Sequence, residues 1–357
     1  MPRFTAPAST GNFTVGFDLL GLALQPVDGS LLGDVLDIES EAASPGLRIS
    51  GRYAHQLPSD ARENLIVTCL DAFAARIGRR LPELSLHLHK NLPVGSGLGS
   101  SACSIVTACY GFNTYFGHPL PQTELLQLMA ECEGGVSGSV HYDNVAPSLL
   151  GGLQLMLPGS TEVCRALPWF DHWRVVICYP GTVISTRAAR DVLPAQVPRA
   201  DAVEYAGLLA RFISALYARD EAEALDSLKD VMAEPRRLAL MPELPALRAL
   251  FAEAGIPHLG ISGSGPTLFA VCTGDAQAEA AAEYELDGQF QGSLMHGLVV
   301  MADGEGAAVF EQIRADAACG TWTDGDTTIT LNPQPDPAIG DETFVLRHAE
   351  TLADDGE

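Results

Sequence analysis

The sequence predicts a fold that mixes α-helices and β-strands in two domains. Its 357 residues exceed what one hydrophobic core usually organises, and 47% of them are hydrophobic, so two cores can be filled. Short segments with the alternation of half-buried strands are interspersed with amphipathic helical segments. A turn-rich stretch without clear periodicity divides these segments into two sets.

The first set predicts a domain over residues 1–155. LGDVLDIES (32–40) and LSLHLHK (84–90) alternate as half-buried strands do, whereas ENLIVTCLDAFAARIG (63–78) has helical periodicity. ACSIVTACYGF (102–112) is apolar with small residues, which is typical of a buried helix.

The second set predicts a domain over residues 156–310, which begins in the turn-rich stretch MLPGSTEVCRALPWFD (156–171). Its candidate elements are a strand, two amphipathic helices and a late strand: WRVVICY (173–179), AVEYAGLLARFISALYA (202–218), ELPALRALFAEAG (243–255) and HGLVVMA (296–302).

Residues 311–357 differ in composition from the rest of the chain. They form an acidic C-terminal extension punctuated by proline and glycine, with two strand-like pieces, TTITL (327–331) and TFVLR (343–347). A small added hairpin and a loosely held extension are both compatible with this pattern, and the role of the extension is open.

The formal net charge of −24 argues against nucleic acid or an anionic membrane surface as a partner, because those partners are bound by clustered lysine and arginine. An anionic ligand would need a local cationic site. The eight cysteines are scattered without a C-x-x-C pair, which indicates reduced thiols that fill the core. The first residues, MPRFTAPAST, lack the apolar region of an export signal. We therefore expect a cytoplasmic protein.

One stretch, NLPVGSGLGSSA (91–102), is the strongest sign of a binding site, and we call it the glycine-rich loop. Glycines let backbone N–H groups approach an anion, and a helix that opens after them adds its positive end. The loop lacks the lysine of a P-loop, and the spacing of Gly95, Gly97 and Gly99 differs from that of the dinucleotide fingerprint. A plain Gly/Ser turn is the alternative.

Three further segments contain polar residues close to glycines: APASTGNFTVGFDLLG (6–21), ECEGGVSGSVHYDNVAPSLLGG (131–152) and GISGSGPTLFA (260–270). Together with the glycine-rich loop they resemble, in order and spacing, the motifs of the GHMP small-molecule kinases, and within that family the homoserine kinases. The resemblance runs from residue 5 to about residue 310 and leaves the acidic extension outside.

The resemblance implies an α+β, two-domain GHMP kinase fold, with an N-terminal domain like domain 2 of ribosomal protein S5 and a ferredoxin-like C-terminal domain. It implies transfer of the γ-phosphate of ATP to the side-chain hydroxyl of L-homoserine in threonine biosynthesis, with Mg²⁺ as cofactor. We expect a homodimer.

On the nucleotide side, the resemblance implies binding by the glycine-rich loop, through Pro93, Gly95, Ser96, Gly97, Leu98, Gly99, Ser100 and Ser101. It also implies a phosphate contact for Lys90 and an adenine contact for Asn64. A surface lysine at a strand end and a helix N-cap are the respective alternatives.

The resemblance places Mg²⁺ on Glu133 with the hydroxyl of Ser100 or Ser101. We assign Ser101 to the metal, and the choice between the two serines is open. Glu131 is the rival carboxylate, because both glutamates lie at the edge of one helical stripe. The family spacing, eight residues before the histidine, favours Glu133.

On the acceptor side, homoserine presents a carboxylate, an ammonium group and a hydroxyl. The planar fork of arginine suits a carboxylate. The resemblance assigns this role to Arg190 and Arg237, the ammonium to Asn12 and Asp18, and a substrate contact to His141. Arg187 and Arg236 are the neighbours that could be confused with the two assigned arginines, and Ala239 stands where relatives often have a further basic residue.

Asn144 stands where several sibling kinases have an aspartate base, and an amide is not a useful proton acceptor. We expect the neighbouring Asp143 to point elsewhere, since adjacent side chains diverge on regular backbone. The predicted mechanism is therefore positioning and charge stabilisation by Asn144, Glu133 and Arg190, with the hydroxyl proton passing to a phosphate oxygen.

Two alternatives accompany this prediction. One is a GHMP kinase for another small alcohol, such as an isoprenoid precursor. The other is a nucleotide-binding regulatory protein with the kinase fold and little catalysis.

Overall fold

The computed structural model describes residues 2–40, 45–242, 244–253, 255–286, 296–302, 307–309, 321–324 and 327–330. The chain forms two compact units, residues 1–309 and residues 310–357. The division predicted inside the first unit, at residue 155, stays a prediction.

The strands of the first unit are β1 (Arg3–Gly11), β2 (Leu20–Pro26), β3 (Gly33–Ser40), β4 (Gly46–Ser50), β5 (Leu84–His89), β6 (Leu153–Met156), β7 (Cys164–Leu167), β8 (Arg174–Tyr179), β9 (Leu259–Ile261), β10 (Leu268–Cys272), β11 (His296–Ala302) and β12 (Ala308–Val309).

The helices are α1 (Leu65–Ile77), α2 (Ser100–Tyr115), α3 (Gln122–Ser137), α4 (Val145–Leu150), α5 (Thr186–Asp191), α6 (Arg199–Ala218), α7 (Glu221–Asp226), α8 (Glu234–Arg237), α9 (Leu244–Glu253) and α10 (Asp275–Leu286). None of the helices in the described part of the chain is both long and apolar enough to cross a membrane.

One large mixed sheet runs through the first unit, in the order β4-β5-β3-β1-β2-β11-β8-β10-β9. β4 and β5 are parallel, and the other neighbours along this path are antiparallel. β1 pairs with β3 through its first half and with β2 through its second half. The sheet therefore connects the elements of both predicted sets.

The first hydrophobic core lies between the sheet and helices α1 to α3. The leucines of β5 are buried while its intervening residues are partly exposed, as the alternation of a strand with one covered face requires. Helix α2 is buried along most of its length, which agrees with its apolar composition.

The second core packs α9 and α10 against β8, β9 and β10. It contains Val176, Leu247, Phe251, Ala270 and other buried residues. The amphipathic pattern of α9 explains this placement, because its apolar residues recur at helical spacing.

The strands and helices predicted from periodicity are present in the structure. One strand has no counterpart in the sequence pattern: the turn-rich stretch 156–171 contains β7, which pairs with β6. β7 is only four residues long and its central residues, Arg165 and Ala166, are exposed, so it shows no apolar alternation. In the second unit, TTITL coincides with β14 (Thr327–Thr330), which pairs with β13 (Thr321–Asp324), whereas TFVLR lies outside the described residues.

The cysteines in the described part of the chain are free thiols, and they are buried except for Cys164. Three of them, Cys69, Cys109 and Cys132, bring their sulfur atoms within 4.8 Å of one another where α1, α2 and α3 pack. The prediction that these thiols fill the core is confirmed.

A buried ion pair lies beneath the glycine-rich loop. Lys90 is 1% exposed and Asp34 is fully buried, and the ammonium lies 2.5 Å from the Asp34 carboxylate. Lys90 also donates to the hydroxyls of Ser100 (2.7 Å) and Ser104 (3.0 Å), at the start of α2. The other carboxylate oxygen of Asp34 accepts from the backbone N–H groups of Asn91 and Leu92. The pair thus connects β3, the strand end at β5, the loop and α2.

Replacing Lys90 by methionine should destabilise the protein by about 3–5 kcal/mol, because Asp34 would be left as a buried charge without its cation. The measurement is the free energy of unfolding in urea. Lys229→Met is the matched control, since that lysine is exposed. The double variant Lys90→Met/Asp34→Asn should recover part of the loss, and a double variant as unstable as Lys90→Met would contradict this explanation.

Candidate active site

A cavity of about 430 Å³ lies where the glycine-rich loop faces the segments 183–190 and 263–264. Both sets of sequence elements contribute to its walls. The predicted site residues that line it are Asn12, Gly95, Ser96, Gly97, Gly99, Ser100, Ser101, Glu133, His141, Asn144, Arg190 and Arg237.

The glycine-rich loop forms one wall in a backbone conformation that requires glycine. Gly95, Gly97 and Gly99 have φ values of +67°, +88° and +63°. A Cβ atom on Gly97 would fall 2.5 Å from the carbonyl oxygen of Ser262, and one on Gly99 would collide with the Ser9 hydroxyl. The loop therefore presents backbone rather than side chains, as a cradle for phosphate groups does.

The segment 262–267 holds the loop from the other side. Ser262 donates its hydroxyl to the Gly97 carbonyl at 2.7 Å, and the backbone N–H of Thr267 donates to the Ser96 carbonyl at 3.0 Å. GISGSGPTLFA therefore belongs to the phosphate side of the cavity because it fixes the shape of the loop.

Glu133 and Ser101 form the oxygen-rich part of the wall. The Ser101 hydroxyl donates to Glu133 Oε1 at 2.8 Å, and burial raises the pKa of the Glu133 carboxyl. Glu131, by contrast, is exposed and pairs with Arg76. Ser100 is engaged by Lys90 and donates to the Leu92 carbonyl. The geometry thus favours Glu133 over Glu131 and Ser101 over Ser100.

These residues fit Mg²⁺. A carboxylate and a hydroxyl beside an anion cradle are hard oxygen donors, which Mg²⁺ prefers, and it takes few of them from protein. Glu133 and Ser101 are the residues that would hold the ion.

The predicted acceptor residues contribute a second part of the cavity wall, with Asp18 just outside the lining. Arg190 makes a two-nitrogen contact with the Asp18 carboxylate, at 2.8 and 3.3 Å. His141 Nδ1 lies 3.7 Å from the same carboxylate, and burial lowers the pKa of this imidazole. The guanidinium groups of Arg190 and Arg237 both lie over the ring of Phe17, at 5.9 and 5.8 Å from its centroid. The side chains of Arg190, Arg237 and Asp18 therefore bring two positive charges and one negative charge together beside Phe17.

A left-handed turn positions Asp18. Asn12, Phe13 and Thr14 have positive φ values, a conformation that costs free energy in non-glycine residues and is retained where tertiary contacts impose it. The Asn12 side chain accepts from the Asp18 N–H at 2.9 Å and donates to the Gly263 carbonyl at 2.8 Å. Asn12 thereby joins the β1–β2 connection to the segment 262–267.

The two arginines have nitrogen atoms available to a ligand. The Arg190 Nε is buried and has no hydrogen-bond partner among the described residues. Arg237 donates to the carbonyls of Ala189 and Gly263, and none of the described residues accepts from its Nη2. Burial lowers the pKa of Arg237. A ligand anion would satisfy these donors.

Asp143 and Asn144 both line the cavity, so the expectation that their side chains point apart was wrong. They lie just before α4, in a turn rather than on regular strand or helix, and both face Gly11. Asn144 accepts from the Ser9 hydroxyl at 3.0 Å. Burial, with the negative charge of Asp18 nearby, raises the pKa of Asp143 to about 7.

Five predicted residues lie outside the cavity lining: Asp18, Asn64, Lys90, Pro93 and Leu98. Asp18 reaches the site through Arg190, and Lys90 is engaged beneath the loop. Asn64 is the N-cap of α1, where its side chain accepts from the Ile66 N–H. The predicted phosphate contact of Lys90 and adenine contact of Asn64 stay predictions.

Sequence reasoning missed several lining residues, notably Asp143, Ser185, Thr186 and Arg187. Arg187 had only a weak signal, its position three residues before Arg190. Asp143 was set aside because regular-backbone alternation was assumed for its segment.

The carboxyl of Asp143 should make the stability of the protein fall as the pH rises. Its pKa in the folded state is about 7 against an ordinary value of 3.8, so its contribution is fully present below about pH 4 and is lost as the pH rises through 7. The Asp143→Asn variant should not lose stability in this way, because the asparagine amide does not ionise. Its melting temperature should exceed that of the wild type by more at pH 8 than at pH 4.

Thermal unfolding across this pH range measures the difference, with Asp71→Asn, an exposed aspartate on α1, as the control. A difference between Asp143→Asn and the wild type that is the same at both pH values would show that Asp143 ionises as an ordinary carboxyl.

Two family models match the chain in order: residues 64–152 match the N-terminal domain of the GHMP kinases and residues 212–285 match their C-terminal domain. The first match contains the glycine-rich loop, Glu133 and Asn144, and the second contains Arg237 and the segment 262–267. Each of the two matches therefore contains some of the residues that line the cavity.

Solved structures agree with this assignment. The chain is 29% identical to a homoserine kinase from Cytophaga hutchinsonii, with a TM-score of 0.77 over 86% of this chain and 96% of that one. It is 24% identical to a putative homoserine kinase from Listeria monocytogenes (TM-score 0.66; 87% and 100% covered) and 15% identical to L. major mevalonate kinase in complex with R-mevalonate (0.62; 85% and 96%). The α+β, two-domain fold is confirmed, and the chain belongs to the GHMP kinase family of phosphotransferases.

Proposed function

We propose that this chain is a homoserine kinase, which transfers the γ-phosphoryl group of ATP to the side-chain hydroxyl of L-homoserine and releases O-phospho-L-homoserine and ADP. The observation that carries the proposal is the convergence of Arg190, Arg237 and Asp18 around Phe17, at the cavity that the glycine-rich loop also lines. A free amino acid needs cationic and anionic partners side by side, and an uncharged alcohol needs neither.

The amino-acid end of the acceptor fits these groups. Its carboxylate would accept from Arg190 Nε and Arg237 Nη2, which lack partners among the described residues. Its ammonium would bind Asp18, whose backbone N–H donates to the Asn12 side chain and whose carboxylate pairs with Arg190. The likeness to the Cytophaga hutchinsonii homoserine kinase supports the same substrate.

The phosphoryl donor would lie along the glycine-rich loop. Backbone donors that are already oriented stabilise charge without reorganisation. Mg²⁺, held by Glu133 and Ser101, would supply charge neutralisation of the phosphates. The remaining chemistry is positioning: the acceptor is fixed by the two charged groups on its α-carbon, so that its hydroxyl is directed to the phosphoryl donor.

The hydroxyl proton would pass to a phosphate oxygen. Asn144 is held by Ser9 next to Gly99 and would orient the reacting groups without taking the proton. Asp143 lies beside it, and the Asp143→Asn variant separates the two routes: positioning predicts a loss in kcat below about tenfold, and a general base predicts 10²-fold or more.

A place in threonine biosynthesis, a cytoplasmic location and a homodimer are further parts of the proposal.

The first experiment is ADP release from Mg·ATP with L-homoserine, D-homoserine, L-serine, L-threonine, mevalonate or no acceptor. We expect turnover with L-homoserine alone, because mevalonate lacks the ammonium group that Asp18 would bind and L-serine has a shorter side chain. Turnover with mevalonate instead would identify a GHMP kinase for another alcohol. ATP binding without stimulated release would favour a regulatory protein.

Arg237→Ala should raise the KM for homoserine by about tenfold or more and change the KM for ATP much less, because of the two substrates Arg237 would contact only the acceptor. Arg236→Ala is the control, since Arg236 pairs with Asp201 outside the cavity. Equal effects on both substrates would indicate a structural role for Arg237.

Glu133→Gln should lower kcat by about 10²-fold or more through loss of the metal ligand. Steady-state kinetics across a magnesium titration measure this effect, and Glu131→Gln is the neighbouring control. Kinetics of Glu133→Gln that match the wild type at every magnesium concentration would remove this residue from the metal site.

A further inference from the structure

The cavity needs a cation at its phosphate end. A triphosphate brings several negative charges to a chain whose net charge is −24, and Lys90 is sealed beneath the loop by Asp34 and two serines. Among the described residues, the cationic side chains of arginine that line the cavity belong to Arg187, Arg190 and Arg237.

These three arginines are not equivalent. Arg190 pairs with Asp18, and Arg237 is buried and donates to two carbonyl groups. Arg187 is exposed and, among the residues that the structure describes, has no hydrogen-bond or ion-pair partner. An arginine that lines a cavity without a protein partner is available to a ligand.

The backbone places Arg187 next to the glycine-rich loop. The N–H of Ile184 donates to the Gly95 carbonyl at 3.1 Å, and the Val183 side chain occupies the space where a Cβ on Gly95 would lie. Arg187 follows three residues later, in the first turn of α5. The segment that carries it is thus held directly against the loop.

Helix geometry then sets its position relative to the acceptor end. Arg187 and Arg190 are three residues apart on α5 and so share one face. Long side chains in a helix lean toward its N-terminus, which for Arg187 is the side of Ile184 and Gly95. Along this segment, Arg187 comes between Ile184, which contacts the loop, and Arg190, which pairs with Asp18, and its side chain lines the same cavity.

We propose that Arg187 is a catalytic residue that binds the γ-phosphate of ATP and stabilises the charge on the phosphoryl group during transfer, an inference that rests on the proposed kinase function. In that step the acceptor oxygen forms a bond to the γ-phosphorus while the bond to the β–γ bridging oxygen breaks. ADP leaves with that electron pair, and the hydroxyl proton goes to a phosphate oxygen. The planar guanidinium matches two phosphoryl oxygens and does not become deprotonated.

The first test measures binding by calorimetry, with Mg·AMP-PNP and Mg·ADP as probes of the full chain. Arg187→Ala should weaken AMP-PNP by about tenfold or more and ADP by much less, because only the former has a γ-phosphate. Arg199→Ala, an exposed arginine outside the cavity lining, should leave both affinities unchanged. Equal losses for both nucleotides, or none, would overturn the proposal.

The second test is steady-state kinetics with Mg·ATP and L-homoserine. Arg187→Ala should lower kcat by about 10²-fold or more with little change in the KM for homoserine, and Arg187→Lys should recover part of kcat by restoring the charge without the fork. A lysine variant no better than alanine, or a change confined to the KM for homoserine, would contradict a role on the phosphate.

The two tests keep this inference separate from the proposed function. If the wild type binds AMP-PNP but phosphorylates no acceptor, the kinase proposal fails and Arg187 as a catalytic residue fails with it. If the wild type is active and Arg187→Ala behaves as Arg199→Ala does, only the assignment of Arg187 fails.

Discussion

The buried pair of Lys90 and Asp34 is the constraint on which the rest of the site depends. A lysine and an aspartate removed from water stabilise a fold only when their remaining hydrogen-bonding capacity is satisfied. Here the carboxylate accepts four hydrogen bonds and the ammonium reaches two serines of α2. Because these partners come from β3, the loop and the first turn of α2, satisfying the pair fixes the relative position of all three.

The ion pair also fixes the conformation of the glycine-rich loop. Its lower side is tied to the ion pair, and its outer side is tied to Ser262, Thr267 and Ile184. With both sides occupied, the positive φ values of its glycines are imposed by the surroundings. A backbone wall that is rigid before a ligand arrives is what electrostatic stabilisation of phosphate requires.

The acceptor end is built on a different principle, the balance of charge. Asp18 stands among Arg190, Arg237 and His141, so its negative charge is compensated. Asp143 has no ion-pair partner among the described residues, and burial raises its pKa. Asn12 and Arg237 both donate to the Gly263 carbonyl, which couples this end of the cavity to the segment that supports the loop. In a strongly acidic chain, cations are concentrated where an anionic ligand would bind.

The sequence by itself determined the larger elements and the family. Periodicity suffices for β5 and α1, because one face of each is covered and the apolar residues recur with the period of the element. Motif spacing suffices for the glycine-rich loop, since its glycines are demanded by backbone geometry. The choice of Glu133 over Glu131 rested on family spacing, and the structure places only the former at the cavity.

The tertiary structure decided what local patterns do not encode. Lys90 pairs with Asp34, which lies 56 residues away in sequence, and no local pattern indicates that pairing. The phosphate contact that the resemblance implies for Lys90 stays a prediction. Asp143 and Asn144 share the cavity because their segment is an irregular turn, to which strand or helix alternation does not apply. Arg187 has no partner among the residues that the structure describes, and no sequence pattern indicates whether a side chain will find a partner.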